Sequence, residues 1–304
     1  MRALVTGGTG FVGKRLISKL DNPVVLSRDP AKAEKALSAY KVKAYAWEPT
    51  SGHPPAEAFE GIDVVFHLAG DSVADGRWTK AKKERMRESR VQGTRHLVQV
   101  MEQISPRPRV LISASAVGIY GDRPSEILTE TSPPASDYLA EICESWEREA
   151  QAAENFGVRV VNPRIGIVLG EKGGALGKML LPFQLGVGSP LGSGKQMMPW
   201  IHIDDLVGLM LYAASHENVR GPVNATAPKP VSNTEFTHTL GKALGRPTFF
   251  PAVPGFVLNI ALGEFARVLL ASQNVVPTAI QAAGYQFQWP ELLPALNNIV
   301  GKKP

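Results

Sequence analysis

Short apolar runs alternate with longer amphipathic stretches through the first half of the chain. Residues 2–6 read as a buried strand, and residues 11–20 as a helix that opens directly from a run of glycines. Residues 23–27, 42–47, 63–67 and 110–113 read as further strands. Pro30 starts a helix reaching about residue 39, and residues 79–103 predict a long one. Residues 137–155 then read as helix and 158–163 as strand. Near-continuous apolar strands separated by helices predict an α/β fold: a Rossmann-type, doubly wound parallel sheet with helices on both faces.

The texture changes after about residue 168. Residues 170–194 are rich in glycine and proline and read mostly as loop, with a short helix over 175–185. Residues 200–203 look strand-like and 204–214 helical. A helix over 233–244 has Ser232 as N-cap and Gly245 as its stop. Two units follow from this pattern: a dinucleotide-binding domain over 1–168, and a substrate-side, mostly helical C-terminal lobe over 169–304. About residues 200–225 of the second unit are expected to pack back on the sheet. The apolar stretch Val253–Ala271 is interrupted by Glu264 and Arg267. That is too broken for a membrane span, which needs about 20 nearly uncharged residues, so it reads as a buried or interface helix.

Composition narrows the class. A chain of 304 residues, 44% apolar and 20% charged, is that of a globular protein with a sizeable core. The lone cysteine, Cys143, excludes internal disulfides and cysteine-rich metal sites. No signal peptide is visible at Met1-Arg2-Ala3-Leu4, which points to the cytoplasm. The net charge of +5 raises nucleic acid as a partner. The densest basic stretch, Arg77–Arg95, interleaves Glu84 and Glu88 and reads as a solvated helix face instead. Neither nucleic acid nor membrane is expected as a partner; a small-molecule substrate is.

Gly8-x-Gly10-x-x-Gly13 lies between a strand and a helix, the context in which this spacing holds a dinucleotide. One glycine makes the tight turn, one lets the backbone approach the pyrophosphate, and one lets helix pack on strand. The backbone of Gly7, Gly8, Thr9, Gly10, Phe11, Val12 and Gly13 would form the cradle, with the helix N-terminus favouring the phosphates. The second strand ends Leu26-Ser27-Arg28-Asp29. A hydroxyl and a guanidinium there suit the 2′-phosphate of NADP(H), so NADP(H) is the expected cofactor; Asp29 keeps NAD(H) as runner-up.

At this point the sequence resembles the extended short-chain dehydrogenase/reductase superfamily. His67-Leu68-Ala69-Gly70 is similar to its stretch after the fourth strand, and Ser113–Gly121 to the segment carrying its active-site serine, here Ser115. Gly173–Met179, Gly192-Ser193-Gly194, Pro199–Asp205, Leu269–Gln273 and Gly284–Phe287 resemble an atypical, epimerase-like subfamily, some of whose members carry a cell-division-inhibitor label. The resemblance covers essentially the whole chain. It implies Leu68, Ala69 and Gly70 as cofactor contacts, Ser115 and Tyr138 as catalytic residues, and nucleotide sugars as a substrate class.

One departure stands out. The superfamily pairs its tyrosine with a lysine four residues later, but position 142 is Ile142 and none of the six tyrosines has a lysine at that spacing. A phenol has a pKa of about 10 and needs a nearby positive charge to act near neutrality. Arg164, at a strand end, and Arg90, on the long helix, are candidate replacements; both are also candidate ligands for cofactor phosphate or an acidic substrate. His202 reads as a structural residue, and Asp204-Asp205 as helix-capping carboxylates, with no metal expected. Met197, Met198 and Trp200 are candidates for an apolar wall of the substrate site or for core, and the loop over 173–194 for a lid. Two functions remain open: an NADP(H)-dependent oxidoreductase or epimerase-like enzyme, and an NADPH-binding regulator without turnover that recognises another protein, for example in cell division.

Overall fold

The computed structural model describes residues 1–171 and 173–301. Lys172, the side chain of Lys178 and residues 302–304 lie outside the described residues, so the second unit expected over 169–304 is followed to residue 301. The first half runs β1 (Ala3–Thr6), α1 (Phe11–Ile17), β2 (Val24–Ser27), α2 (Pro30–Ala36), β3 (Lys43–Ala46), β4 (Val64–His67), α3 (Lys80–Gln103) and β5 (Val110–Ser113). Next come β6 (Ser115–Ala116), β7 (Arg123–Leu128), α4 (Tyr138–Gln151), β8 (Arg159–Ile165), β9 (Ile167–Leu169) and α5 (Gly174–Gln184). Then follow β10 (Met197–Met198), β11 (Trp200–His202), α6 (Ile203–Ser215), β12 (Gly221–Ala225), β13 (Val231–Ser232) and α7 (Asn233–Leu244). The chain ends with α8 (Gly255–Leu262), α9 (Phe265–Leu270), β14 (Gln273–Val275), α10 (Thr278–Ala282) and α11 (Leu292–Ile299).

The main sheet has the order β12-β8-β5-β4-β1-β2-β3, with β6 beside β8. Its pairs are parallel. This is the doubly wound Rossmann arrangement, and the strand order reverses between β1 and β4, where such sheets hold their ligands. Successive residues point to opposite faces. Val5, Phe66, Ile112 and Val161 therefore pack with Leu206, Val207 and Met210 of α6. Leu4, Val65, Leu111 and Val160 pack with Leu97, Val98 and Met101 of α3.

Several elements end where side-chain chemistry dictates. Thr79 caps α3 through Lys82 N, Asp137 caps α4, and Ser232 caps α7, which closes on left-handed Gly245. The predicted helices over 11–20, 30–39 and 137–155 are shorter as α-helix, and 152–156 continues α4 as a 3₁₀ turn. The loop-like region over 170–194 contains an eleven-residue helix, α5, with Pro182 inside it.

The C-terminal part is tied down by main-chain bonds. Asp205 accepts from the amides of Gln288 and Trp289 at 2.7 and 2.8 Å. Strand β14 pairs with β7. Trp200 and Met198 are buried with Leu176, Phe236 and Leu296, so both serve a core.

Candidate functional site

The register at the carboxyl ends of the central strands sets Leu26, Thr6, His67 and Ser113 side by side. The chain turns off β1 at Gly7, whose φ of 69° is left-handed. There is no room for side chains in this turn. A Cβ on Gly13 would lie 2.2 Å from the carbonyl oxygen of Gly7, and one on Gly7 would lie 2.9 Å from Leu68. Gly10 N donates to Gly7 O at 3.0 Å, and no side chain caps α1 at Gly10. The first turn of the helix thus has no side-chain acceptor of its own, as a phosphate-binding helix N-terminus requires. Phe11 projects from this turn and is enclosed by glycines. A Cβ on Gly170, Gly173 or Gly174 would meet its ring at 2.7, 2.5 or 2.9 Å.

A directed hydrogen-bond chain braces the loop after β4 against the glycine turn. Thr6 Oγ1 accepts from Leu68 N at 3.1 Å and Ala69 N at 3.0 Å. Its own proton therefore goes to His67 Nδ1, 2.7 Å away. His67 Nε2 then donates to Thr94 Oγ1 at 2.9 Å, and Thr94 donates to Arg90 O at 2.5 Å. This fixes the neutral Nε2–H tautomer. Burial, with Arg90 nearby, pushes the His67 pKa down to about 3.

At the end of β2, Ser27 is half-buried and Arg28 exposed. Asp29 is exposed, and its Oδ1 accepts from Lys32 N at 3.0 Å as the N-cap of α2. Among the described residues Arg28 has no hydrogen-bond or ion-pair partner. On the opposite side of β1, Arg90 lies against Gly70, where a Cβ would be 3.1 Å from its guanidinium carbon. Arg90 Nη1 donates to Asp71 O and Met86 O, and the guanidinium stacks over Trp146. Its other nitrogens have no protein partner among the described residues.

Beneath Ser115 sits a buried polar network. Ser115 Oγ donates to Glu147 Oε1 at 2.7 Å. Arg164 grips the same carboxylate with two bonds, Nε and Nη2 at 2.9 Å each, and its Nη1 donates to Tyr120 Oη and Glu130 O. Burial works against the Arg164 charge, but Glu147 and Tyr120 outweigh it and raise its pKa. Tyr120 donates to Asn224 Oδ1, and Asn224 Nδ2 to Val276 O, which carries the network into the C-terminal part. Arg164 is thus largely committed inside the protein.

Tyr138 stands apart from this group. Its hydroxyl donates to Lys83 O at 2.5 Å, with Trp78 edge-on to its ring. Burial raises its pKa, helped by Glu84 and opposed by Arg87 and Arg90. Trp78 also faces Phe265, Arg77 donates to Ile260 O at 2.8 Å, and Lys83 pairs with Glu264, so the segment before α3 and its first turn are clasped to the α8–α9 region. Buried Cys143 has its pKa pushed up to about 12, chiefly by burial, and is not a thiolate. His202 caps α6 through Asp204 N, and Asp204 pairs with Arg15 at 2.5 Å. Among the described residues no group of three or more His, Cys, Asp or Glu is placed to hold a metal ion.

Sequence reading missed Thr6, Thr94, Glu147, Tyr120, Glu130 and Asn224. Glu147 had a signal: it falls within the stripe Ile142, Cys143, Trp146 and Ala150 that buries α4, where a charge needs a partner.

A dinucleotide fold with this glycine turn and Ser115 just past β5, but no lysine four residues after a tyrosine, defines an atypical extended short-chain dehydrogenase/reductase. The chain belongs to the NAD dependent epimerase/dehydratase family, whose model matches residues 3–225. A domain of unknown function, DUF1731, matches residues 253–299. The chain is 40% identical to the chloroplastic epimerase family protein SDR39U1 homolog of Arabidopsis thaliana over 99% of this chain and 87% of that one. The human epimerase family protein SDR39U1 (isoform 2), solved with NADPH, superposes with a TM-score of 0.88 at 34% identity, over 99% of both chains. A nucleoside-diphosphate sugar epimerase from Corynebacterium glutamicum is 30% identical with a TM-score of 0.73, over 99% of this chain and 58% of that one. Among the described residues no helix is long and apolar enough to cross a membrane.

Proposed function

We propose that this chain is an NADP(H)-binding enzyme of the epimerase family that moves hydride to or from a carbonyl or alcohol carbon, with nucleotide sugars as the leading substrate class. The observation that carries the cofactor choice is the end of β2, where Arg28 is exposed and unpaired among the described residues while Asp29 Oδ1 caps α2. The Asp29 cap ties one carboxylate oxygen to the start of α2, and a free guanidinium beside it suits a 2′-phosphate. The human relative solved with NADPH supports the same choice, and neighbours of lower identity solved with NAD keep NAD(H) as the alternative.

The residues fit the cofactor in named roles. Amides of Gly8 to Gly13 receive the pyrophosphate, Ser27 and Arg28 the 2′-phosphate, and Leu68, Ala69 and Gly70 the adenosine side. Arg90 contributes its unpaired nitrogens at Gly70. NADP(H), when bound, supplies or accepts the hydride at its nicotinamide. Ser115 then acts at a substrate oxygen. Its hydroxyl proton points to Glu147 Oε1, which leaves its lone pairs to accept from a substrate hydroxyl. Arg164 is a positioning residue that holds Glu147 in place. Tyr138 takes part as acid or base only after leaving Lys83 O, with no lysine at 142 to help it. That feature favours a second reading, a cofactor-binding regulator without turnover that acts through a protein partner. A cytoplasmic setting and the division of labour between 1–168 and 169–304 belong to the same proposal.

The test is NADPH oxidation, or NADP⁺ reduction, with a panel of carbonyls and nucleotide sugars. Turnover that is lost in Ser115→Ala while NADPH binding persists supports the enzyme. Tight NADPH binding with no turnover across the panel supports the regulator.

A further inference from the structure

Two segments far apart in sequence meet at the glycine turn. Phe11 follows Gly10 in the turn proposed to receive the pyrophosphate. Its ring lies against Gly170, Gly173 and Gly174, which lead from β9 into α5 in the second half of the chain. The fit depends on the side chains these positions lack. At Gly173 the three atoms nearest an added Cβ all belong to the Phe11 ring, at 2.5, 2.8 and 3.1 Å. The φ of Gly173 is 171°, extended backbone that any residue adopts. Alanine there would add a methyl group against the ring and no backbone strain.

Both sides of the contact are anchored. Strand β9 pairs with β11, from Ile167 beside Trp200 to Leu169 beside His202. Leu176, two residues past Gly174, is fully buried with Trp200 and Phe236. A Cβ on Gly174 would lie 2.7 Å from Val168 O, and one on Gly170 would lie 3.2 Å from Ile203 Cγ2 as well as against the ring. One turn further along α1, on the same face as Phe11, Arg15 bonds Asp204 at the start of α6. The second half of the chain therefore holds one edge of α1 at two consecutive turns, by a ring contact and by an ion pair.

We propose that Phe11 and Gly173 form a joint through which the β9–α5 segment sets the shape of the cofactor turn. The glycines let the ring seat, and the seated ring fixes the backbone of Gly10 and Phe11 where the pyrophosphate is received. Gly173 acts through Phe11 and is a positioning residue. Such coupling is reciprocal, so a bound cofactor steadies β9–α5 in return. The inference rests on NADPH binding at the glycine turn and needs no turnover.

NADPH titrations followed by nicotinamide fluorescence, on wild type, Gly173→Ala, Phe11→Ala and the double variant, test it. A methyl group forced into a packed contact shifts an equilibrium at least about 5-fold, so Gly173→Ala is expected to bind NADPH at least about 5-fold more weakly. In the Phe11→Ala background the ring is gone, and the same substitution is expected to cost nothing. A purely structural contact would lower the Tm and leave NADPH affinity alone. Hydrogen exchange on the wild type needs no variant: NADPH is expected to slow the amides of α5 at least about 5-fold. A wild type that does not bind NADPH overturns the cofactor reading and the joint with it. Three results overturn the joint alone. They are a Gly173→Ala protein whose NADPH affinity falls by less than about 5-fold, a loss that persists in the Phe11→Ala background, and α5 amides that NADPH does not slow.

Discussion

His67 is buried between two threonines and neutral, which makes a quantitative prediction about acid stability. Its pKa is about 3 in the fold against about 6.5 in the unfolded chain. Between these values the unfolded chain binds a proton that the folded chain refuses, so stability falls as pH drops. The contribution is complete above about pH 6.5 and is lost progressively toward pH 3. At 1.36 kcal/mol per pKa unit, the loss from this one group between pH 7.5 and pH 4.5 is about 3 kcal/mol. Carboxylates also titrate over that range, so the measurement must be a difference. His67→Gln keeps a donor and an acceptor between Thr6 and Thr94 but does not titrate. Urea unfolding of both proteins at the two pH values should show the wild type losing about 3 kcal/mol more than the variant. Equal losses would refute the buried neutral tautomer and with it the directed chain from Thr6 to Arg90.

Two further outcomes follow from the same contacts. Glu147→Ala leaves the Arg164 guanidinium buried without its carboxylate and should destabilise the protein by about 3–5 kcal/mol in denaturant; replacing both residues by methionine should recover most of that loss. Asp29→Ala removes the α2 cap and should cost about 1 kcal/mol, while NADPH affinity measured by nicotinamide fluorescence stays unchanged. Weakened NADPH binding in that variant would show the carboxylate acting on the cofactor.

The sheet and its glycine turn were legible because their physics is local. An apolar strand, a run of glycines and a helix announce a dinucleotide turn within a dozen residues, and Ser232 and Gly245 mark both ends of α7 without any tertiary information. Strand β12 was not legible as a strand. Gly221-Pro222-Val223-Asn224 has no apolar run, and it is a strand because β8 lies beside it. The polar network was hidden for a related reason. Arg164 could be placed at the edge of the sheet from its neighbours, but its partners come from α4, the 3₁₀ turn at Tyr120 and Glu130, residues distant in sequence. Phe256 and Ile260 show the converse. Their apolar run reads as a buried or interface helix, and only the folded chain shows which of its side chains lie outside.

The central claim is that the end of β2 selects NADP(H) through Arg28. Titration of NADPH and NADH against the wild type and Arg28→Ala tests it most directly. A charge-assisted bond to a phosphate is worth about 1.5–3 kcal/mol, so the variant should bind NADPH about 10- to 150-fold more weakly, with NADH affinity unmoved. Wild-type affinity for NADH equal to that for NADPH, or an Arg28→Ala protein that holds NADPH as tightly as before, would contradict the account.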